Sequence, residues 1–209
     1  MGETLFVGEN YECEGIVDPD QQKIMGEKLA LIKLEATDQA AIDKYREGWK
    51  KQKLPIQSNH LFYNELVDVS EIQVGGSQYH EHATTVPALY HRVKGNKVYE
   101  KTAQKCLVFF HGGMGIAGSA RDSEHIVNRI AEESDTVVIS VEYRLAPEHK
   151  APAAIYDGYG AVKWIIENSE SLRILPEHVG VMGVGAGGWV VVGLSMLLAE
   201  NGESDLIKY

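Results

Sequence analysis

Three short apolar runs, separated by segments with helical spacing, constrain the fold more than any other feature of the sequence. The runs are residues 105–110, 136–141 and 178–182, and the helix-like segments are 123–133, 155–168 and 188–201. Compact apolar runs without polar alternation are typical of strands buried on both faces. Strands that alternate with helices predict an α/β fold, with a mostly parallel sheet and helices on both faces.

Two regions precede these runs. Residues 66–74 and 86–93 have the pattern of an antiparallel pair of strands with polar edges. Residues 18–52 have the spacing of two amphipathic helices, one starting at Asp18-Pro19 and one after Thr37. The sequence therefore predicts a helical cap-like segment over 1–60 and an α/β domain over 61–209.

Composition excludes several classes of partner. The formal net charge of −10 over 209 residues disfavours nucleic acid and anionic membrane surfaces. No apolar run is long enough to span a membrane, and residues 1–10 lack the pattern of a signal peptide. Cys13 and Cys106 lack the spacing of a zinc site or a disulfide framework. These features predict a cytoplasmic protein with reduced cysteines and no cofactor.

A metal site is not expected either. His80-Glu81-His82 offers two imidazoles on one face of an extended segment, but a metal site needs three or four ligands. We expect this segment to be an exposed loop. Ser119, Ser140 and Ser195 have no recognisable base partner and are interpreted as structural. The helical positions of Trp49, Trp164 and Trp189 favour packing.

A glycine-rich loop follows the first buried run, with the sequence His111-Gly112-Gly113-Met114-Gly115. Glycines at this place allow a sharp turn and let backbone N–H groups point into a crevice, where they can hold an oxyanion. This motif alone has low specificity, because many turns from strand to helix contain glycine.

The segment after the second buried run is more specific. It reads Tyr143-Arg144-Leu145-Ala146-Pro147-Glu148-His149, and Pro152 and Asp157 follow it. The two prolines stiffen this crossover, and we expect Arg144 and Glu148 to form a charged brace across it.

Together the two motifs resemble the hormone-sensitive-lipase group of α/β-hydrolases, which includes carboxylesterases and arylacetamide deacetylases. That group has an HGGG loop, a Tyr-Arg-x-Ala-Pro-Glu segment and a Gly-Asp-Ser-Ala-Gly-Gly nucleophile elbow, and the resemblance covers residues 86–201. It implies a carboxylic ester hydrolase fold at 61–209 that is incomplete at its C-terminal side. It also implies two sets of site residues: oxyanion-hole amides at Gly112, Gly113, Met114 and Ala186, and supporting side chains at His111, Tyr143, Arg144, Glu148 and Asp157. Met114 replaces the third glycine of the loop, which strains the backbone if its φ is positive.

The elbow itself departs from the family pattern. It reads Gly183-Val184-Gly185-Ala186-Gly187-Gly188, so that Gly185 occupies the position of the nucleophilic serine. Every histidine precedes Gly185, whereas the fold order places the base after the nucleophile. The chain is therefore predicted to be inactive as written. It is either a pseudoenzyme that binds an acyl or ester-like ligand or a protein partner, or a fragment of an active family.

Two further hypotheses follow from the same segment. Gly183, Gly185 and Gly188 spell the dinucleotide-binding pattern, with Glu203 or Asp205 near the distance of a ribose-binding acid. The late position of this motif in the chain disfavours that alternative. In the resembling fold the strand at 178–182 is interior. Because this sequence stops after the helix that follows the strand, we expect the strand to be an exposed apolar edge here, which favours self-association or a protein partner.

Overall fold

The computed structural model describes residues 39–51, 65–94 and 102–208, which form a sheet of five strands. The strands are β1 (Val67–Gly75), β2 (Thr85–Val93), β3 (Gln104–Phe110), β4 (Val137–Val141) and β5 (Ile174–Gly183). Their order in the sheet is β1-β2-β4-β3-β5. Each strand predicted from the sequence is present.

The sheet combines two kinds of pairing. β2 pairs antiparallel with β1 on one side and with β4 on the other, whereas β3 pairs parallel with both β4 and β5. The predicted antiparallel pair and the parallel half are both confirmed. Because β3, β4 and β5 run in the same direction, their carboxyl ends lie at one edge of the sheet, where α/β proteins place their ligand sites.

Helices cover both faces of the sheet. They are α1 (Gln39–Lys51), α2 (Glu124–Ser134), α3 (Ala153–Glu167), the short α4 (Ser169–Leu172) and α5 (Ala186–Glu200), with single 3₁₀ turns at Arg121–Ser123 and Ser204–Leu206. Below α2, a small core contains Phe109, Val127 and Val138. On the opposite face, α3 and α5 enclose the larger core with Phe110 and Ile139. The fold class expected from the sequence is confirmed.

The edge of the sheet differs from the sequence expectation in two details. β5 begins at Ile174, four residues early, and its pairing with β3 shifts register between Gln104 and Cys106. β5 is an edge strand of the described sheet. Its Val179 carbonyl accepts a hydrogen bond from the Lys208 N–H at 2.9 Å. Self-association through this edge stays a prediction. Trp189 was expected to pack, but 72% of its surface is exposed on α5, so that prediction is wrong.

Within residues 1–60 the structure describes only α1, so the cap-like role of this segment stays a prediction. This helix confirms the second of the two helices predicted over 18–52, while the first lies outside the described residues. None of the described helices combines the length and apolar character that crossing a bilayer requires.

Candidate active-site crevice

The crevice lies where β3 and β5 end side by side. Phe110 pairs with Gly183 in the parallel ladder, and the Val184 N–H donates to the Phe110 carbonyl at 3.1 Å. The loop after β3 and the elbow after β5 therefore leave the sheet next to each other. The sequence predicted both features, and the structure brings them together.

Gly185 forms the tip of the elbow. Its backbone has φ 56° and ψ −117°, a conformation that is rare for residues with a side chain, and it directly precedes α5. A Cβ atom built on Gly185 meets only the Gly112 Cα, at 3.9 Å. The elbow thus has the sharp turn of a nucleophile position and free space for a side chain, but glycine supplies no nucleophile.

Two flanking glycines have a different reason to be there. A Cβ on Gly183 would lie 2.2 Å from the Gly187 carbonyl, and a Cβ on Gly187 would lie 2.1 Å from the Phe110 carbonyl. Strand, elbow and helix are therefore packed backbone against backbone. Gly188, in contrast, has open space, since its Cβ would come no closer than 3.9 Å to the Gly183 carbonyl.

The loop after β3 turns through three successive positive φ angles. These are 129° at Gly113, 58° at Met114 and 72° at Gly115. The N–H groups of Ile116 and Ala117 close the turn by donating to the Gly113 carbonyl at 3.1 and 2.9 Å. The strain expected at Met114 is confirmed, because a bulky residue rarely adopts a left-handed conformation.

Some backbone N–H groups of this loop and of the elbow have no backbone acceptor. Within the described part of the chain, the amides of Gly113, Met114 and Ala186 make no backbone hydrogen bond. Ala186 is the first residue of α5, whose first turn contains no acidic side chain, so its N–H adds to the positive end of a helix of 15 residues. Such groups favour an oxygen that carries negative charge.

His111 supports the loop from below. Its buried ring stacks on Tyr143 with the centroids 4.3 Å apart, and its Nδ1 lies 2.8 Å from the Gly112 carbonyl, to which the N–H donates. The Tyr143 hydroxyl donates to the His111 carbonyl at 2.6 Å. Burial lowers the pKa of His111 and raises that of Tyr143, so both stay neutral at neutral pH.

The charged brace differs from the sequence prediction. Arg144 pairs with Asp157 rather than Glu148: Nε and Nη2 donate to the carboxylate at 2.8 and 2.7 Å, and the backbone N–H of Arg144 donates to it at 3.1 Å. Arg144 also donates to the His82 carbonyl at 2.7 Å. Asp157 lies fully buried on α3. Its carboxylate accepts two parallel bonds from the planar guanidinium, a paired contact that an exposed glutamate would form less completely.

Glu148 pairs instead with Arg46 of α1, with both carboxylate oxygens 2.8 Å from the guanidinium. This contact lowers the pKa of Glu148 to about 2. Sequence reasoning missed Arg46, because the two partners are 102 residues apart and no local pattern joins them.

The remaining candidates lie outside the crevice contacts. Glu203 accepts from Lys163 and from the Tyr159 hydroxyl, each at 2.6 Å. Ser195 donates to the Val191 carbonyl within α5. His80 stacks on Tyr156, and among the described residues no three side chains of metal-binding type form a group.

Comparison with known proteins identifies this architecture. Residues 107–209 match a family model described as the alpha/beta hydrolase fold. An arylesterase of Saccharolobus solfataricus is 36% identical over 102 residues, which cover 49% of this chain and 33% of that protein. The arylacetamide deacetylase of Oryctolagus cuniculus is 31% identical over 151 residues, 68% of this chain and 38% of that protein.

Solved structures give the same result. A hyperthermophilic esterase of Pyrobaculum calidifontis superimposes with a TM-score of 0.68 and 27% identity over 92% of this chain and 57% of that one. The chain therefore has the α/β-hydrolase fold, and these relatives and this structural neighbour are esterases or a deacetylase. The chain spans about a third of the length of the curated relatives it matches.

Proposed function

We propose that this chain is a non-catalytic member of the esterase-type α/β-hydrolases, whose crevice binds a small acyl ligand through backbone amides. The ligand is an ester carbonyl or a carboxylate, held by the N–H groups of Gly113, Met114 and Ala186. The observation that carries this proposal is the elbow at Gly185, which has the nucleophile conformation and no side chain. Oxyanion-type groups without a nucleophile can bind an acyl oxygen but cannot form an acyl intermediate.

The packing of the elbow supports this proposal over dinucleotide binding. The dinucleotide pattern needs its third glycine for close contact between helix and strand. Here Gly188 has open space, and the tight contacts fall on Gly183 and Gly187, the outer glycines of G-x-S-x-G. The carboxylate of Glu203, the first candidate for a ribose, is held by Lys163 and Tyr159.

Binding is tested by NMR on the ¹⁵N-labelled chain. Butyrate should cause saturable shifts of the amide signals of Gly113, Met114 and Ala186. Butanol has the same alkyl chain without the carboxylate and should not cause them. Equal shifts with both compounds, or none with butyrate, would overturn the proposed binding mode.

Catalysis is tested with p-nitrophenyl butyrate. The wild-type chain should show neither a burst nor saturable turnover, since no acyl-enzyme can form at Gly185. Gly185→Ser should change little, because a Cβ on Gly185 has only the Gly112 Cα within 4 Å among the described residues, and a serine without a neighbouring base is a weak nucleophile at neutral pH. Gly202→Ser is the matched control, since Gly202 also has a positive φ of 70° and open space. Hydrolysis by Gly185→Ser alone that is sensitive to a fluorophosphonate would contradict the assignment of this chain as catalytically incomplete.

A further inference from the structure

Arg46 joins α1 to the loop after β3 and to the segment after β4. Its Nε donates to the Ile116 carbonyl at 2.7 Å, and its Nη2 donates to the Ala146 carbonyl at 3.0 Å. The same guanidinium holds Glu148 through two further bonds. One side chain, only 25% exposed, thus contacts the loop after β3, the loop after β4 and a carboxylate.

Both carbonyls belong to segments that are bonded directly to the oxyanion-type loop. Ile116 carries the N–H that donates to the Gly113 carbonyl, and Ala146 carries the N–H that donates to the Gly115 carbonyl at 2.8 Å. Arg46 therefore contacts this loop directly at Ile116 and indirectly, through Ala146, at Gly115. Met114 lies between Gly113 and Gly115, whose carbonyls accept these two bonds, and it has a left-handed conformation with φ 58°.

A strained residue persists only where surrounding contacts determine its backbone. His111 and Tyr143 supply such contacts at the start of the loop, at residues 111 and 112. After Met114, the contacts that hold the loop are the turn bonds to Gly113, the bond from Ala146 and the bond from Arg46. Arg46 is the only one of these groups that comes from α1.

We propose that Arg46 is a positioning residue, through which α1 sets the conformation of the oxyanion-type loop and hence its affinity for an acyl oxygen. The part of this inference that concerns affinity rests on the proposed function. A planar guanidinium can donate to two carbonyls and a carboxylate at once, whereas the ammonium group of lysine cannot reproduce this fork. Lysine at this position should keep the charge and lose the geometry.

The test compares Arg46→Lys with wild type by amide hydrogen exchange, measured by NMR on the full chain. The N–H groups of Ile116 and Ala117 should exchange about 10-fold faster in the variant. This is the change in the opening equilibrium that is expected when the loop loses one hydrogen bond to a charged group. The amides of β4 should not change. The affinity for butyrate should fall in the same variant.

Two further variants separate positioning from general stability. Glu148→Gln retains an acceptor for the guanidinium, so the two carbonyl bonds of Arg46 remain and loop exchange should stay within about 3-fold of wild type. Arg129→Lys changes an exposed arginine that pairs with Glu133 on α2, and it should leave the loop unchanged. If Glu148→Gln accelerates exchange as much as Arg46→Lys, the ion pair rather than the carbonyl contacts holds the loop, and the inference fails.

The remaining outcomes are also decisive. Exchange at Ile116 and Ala117 that is unchanged in Arg46→Lys overturns the role of Arg46, as does an equal acceleration throughout β4. Because exchange is measured without ligand, failure of butyrate to bind the wild-type chain defeats the proposed function alone.

Discussion

The elbow follows β5 and the brace follows β4, the two strands that flank β3, yet they are built in opposite ways. At the elbow, Gly183 and Gly187 pack backbone against backbone, and the central position has no reactive group. In the brace, Arg144 and Asp157 depend on side-chain chemistry, with a buried carboxylate in a planar fork. The difference shows that the contacts that shape this crevice are separable from the group that would react in it.

The largest effect is expected from Gly187→Ala. Its new Cβ would meet the carbonyls of Phe110 and His111, at 2.1 and 2.7 Å, so that strand and helix must separate. We expect a loss of more than about 3 kcal/mol in the free energy of unfolding, or no folding. Gly185→Ala is the matched comparison and should cost only about 1–2 kcal/mol from its positive φ. Urea denaturation measures both, and equal losses would contradict the packing assignment.

Asp157→Asn tests the brace. The substitution leaves Arg144 without its buried counter-charge, which should cost about 3 kcal/mol in the free energy of unfolding. Glu133→Gln removes a carboxylate from an exposed pair with Arg129 and should cost less than about 1 kcal/mol. A similar small loss in both variants, by urea denaturation, would mean that the brace contributes no more than a surface ion pair.

Met114→Gly should stabilise the chain. Glycine adopts φ 58° without the steric cost that methionine has there, and 42% of the Met114 surface is exposed, so little packing is lost. A gain of about 1 kcal/mol is expected in the thermal or urea transition. Destabilisation instead would show that the methionine side chain contributes contacts that outweigh its backbone strain.

The smallest effect is expected on the docking of α1 at low pH. It tests whether this docking depends on the charge of Glu148, while the elbow depends on backbone packing. The pKa of Glu148 is about 2 in the folded chain, below its ordinary value of 4.5. Its contribution to the docking of α1 is therefore present above pH 4.5 and is lost as the pH falls through 2. The Trp49 indole N–H, which donates to Asp122 at 3.1 Å, reports this docking by NMR.

Glu148→Gln provides the control for that titration. The glutamine cannot titrate, so the part of the Trp49 signal change that follows Glu148 should disappear. The amide signal of Val184, which reports the elbow, should stay constant over the same range in both proteins. Loss of the Val184 signal together with that of Trp49 would mean that acid unfolds the crevice as a whole.

The sequence predicted most of the fold because its signals were local. Runs such as 105–110 and 136–141 identify buried strands by length and composition alone, and the glycines at 112, 113 and 115 mark the turn that follows the first run. Trp189 shows where this reasoning ends. Its helical position is the same whether its face is covered or open, and only the three-dimensional structure gives its exposure.

The absence of a nucleophile was determined by the sequence alone, since no folding can give Gly185 a side chain. The partners of the charged groups were decided only by the tertiary structure. Arg144 has Glu148 four residues away but bonds Asp157, and Glu148 bonds Arg46 from a separate helix. Ion pairs depend on distance in space and on burial, and a buried carboxylate that needs a partner takes precedence over a neighbour that water can solvate.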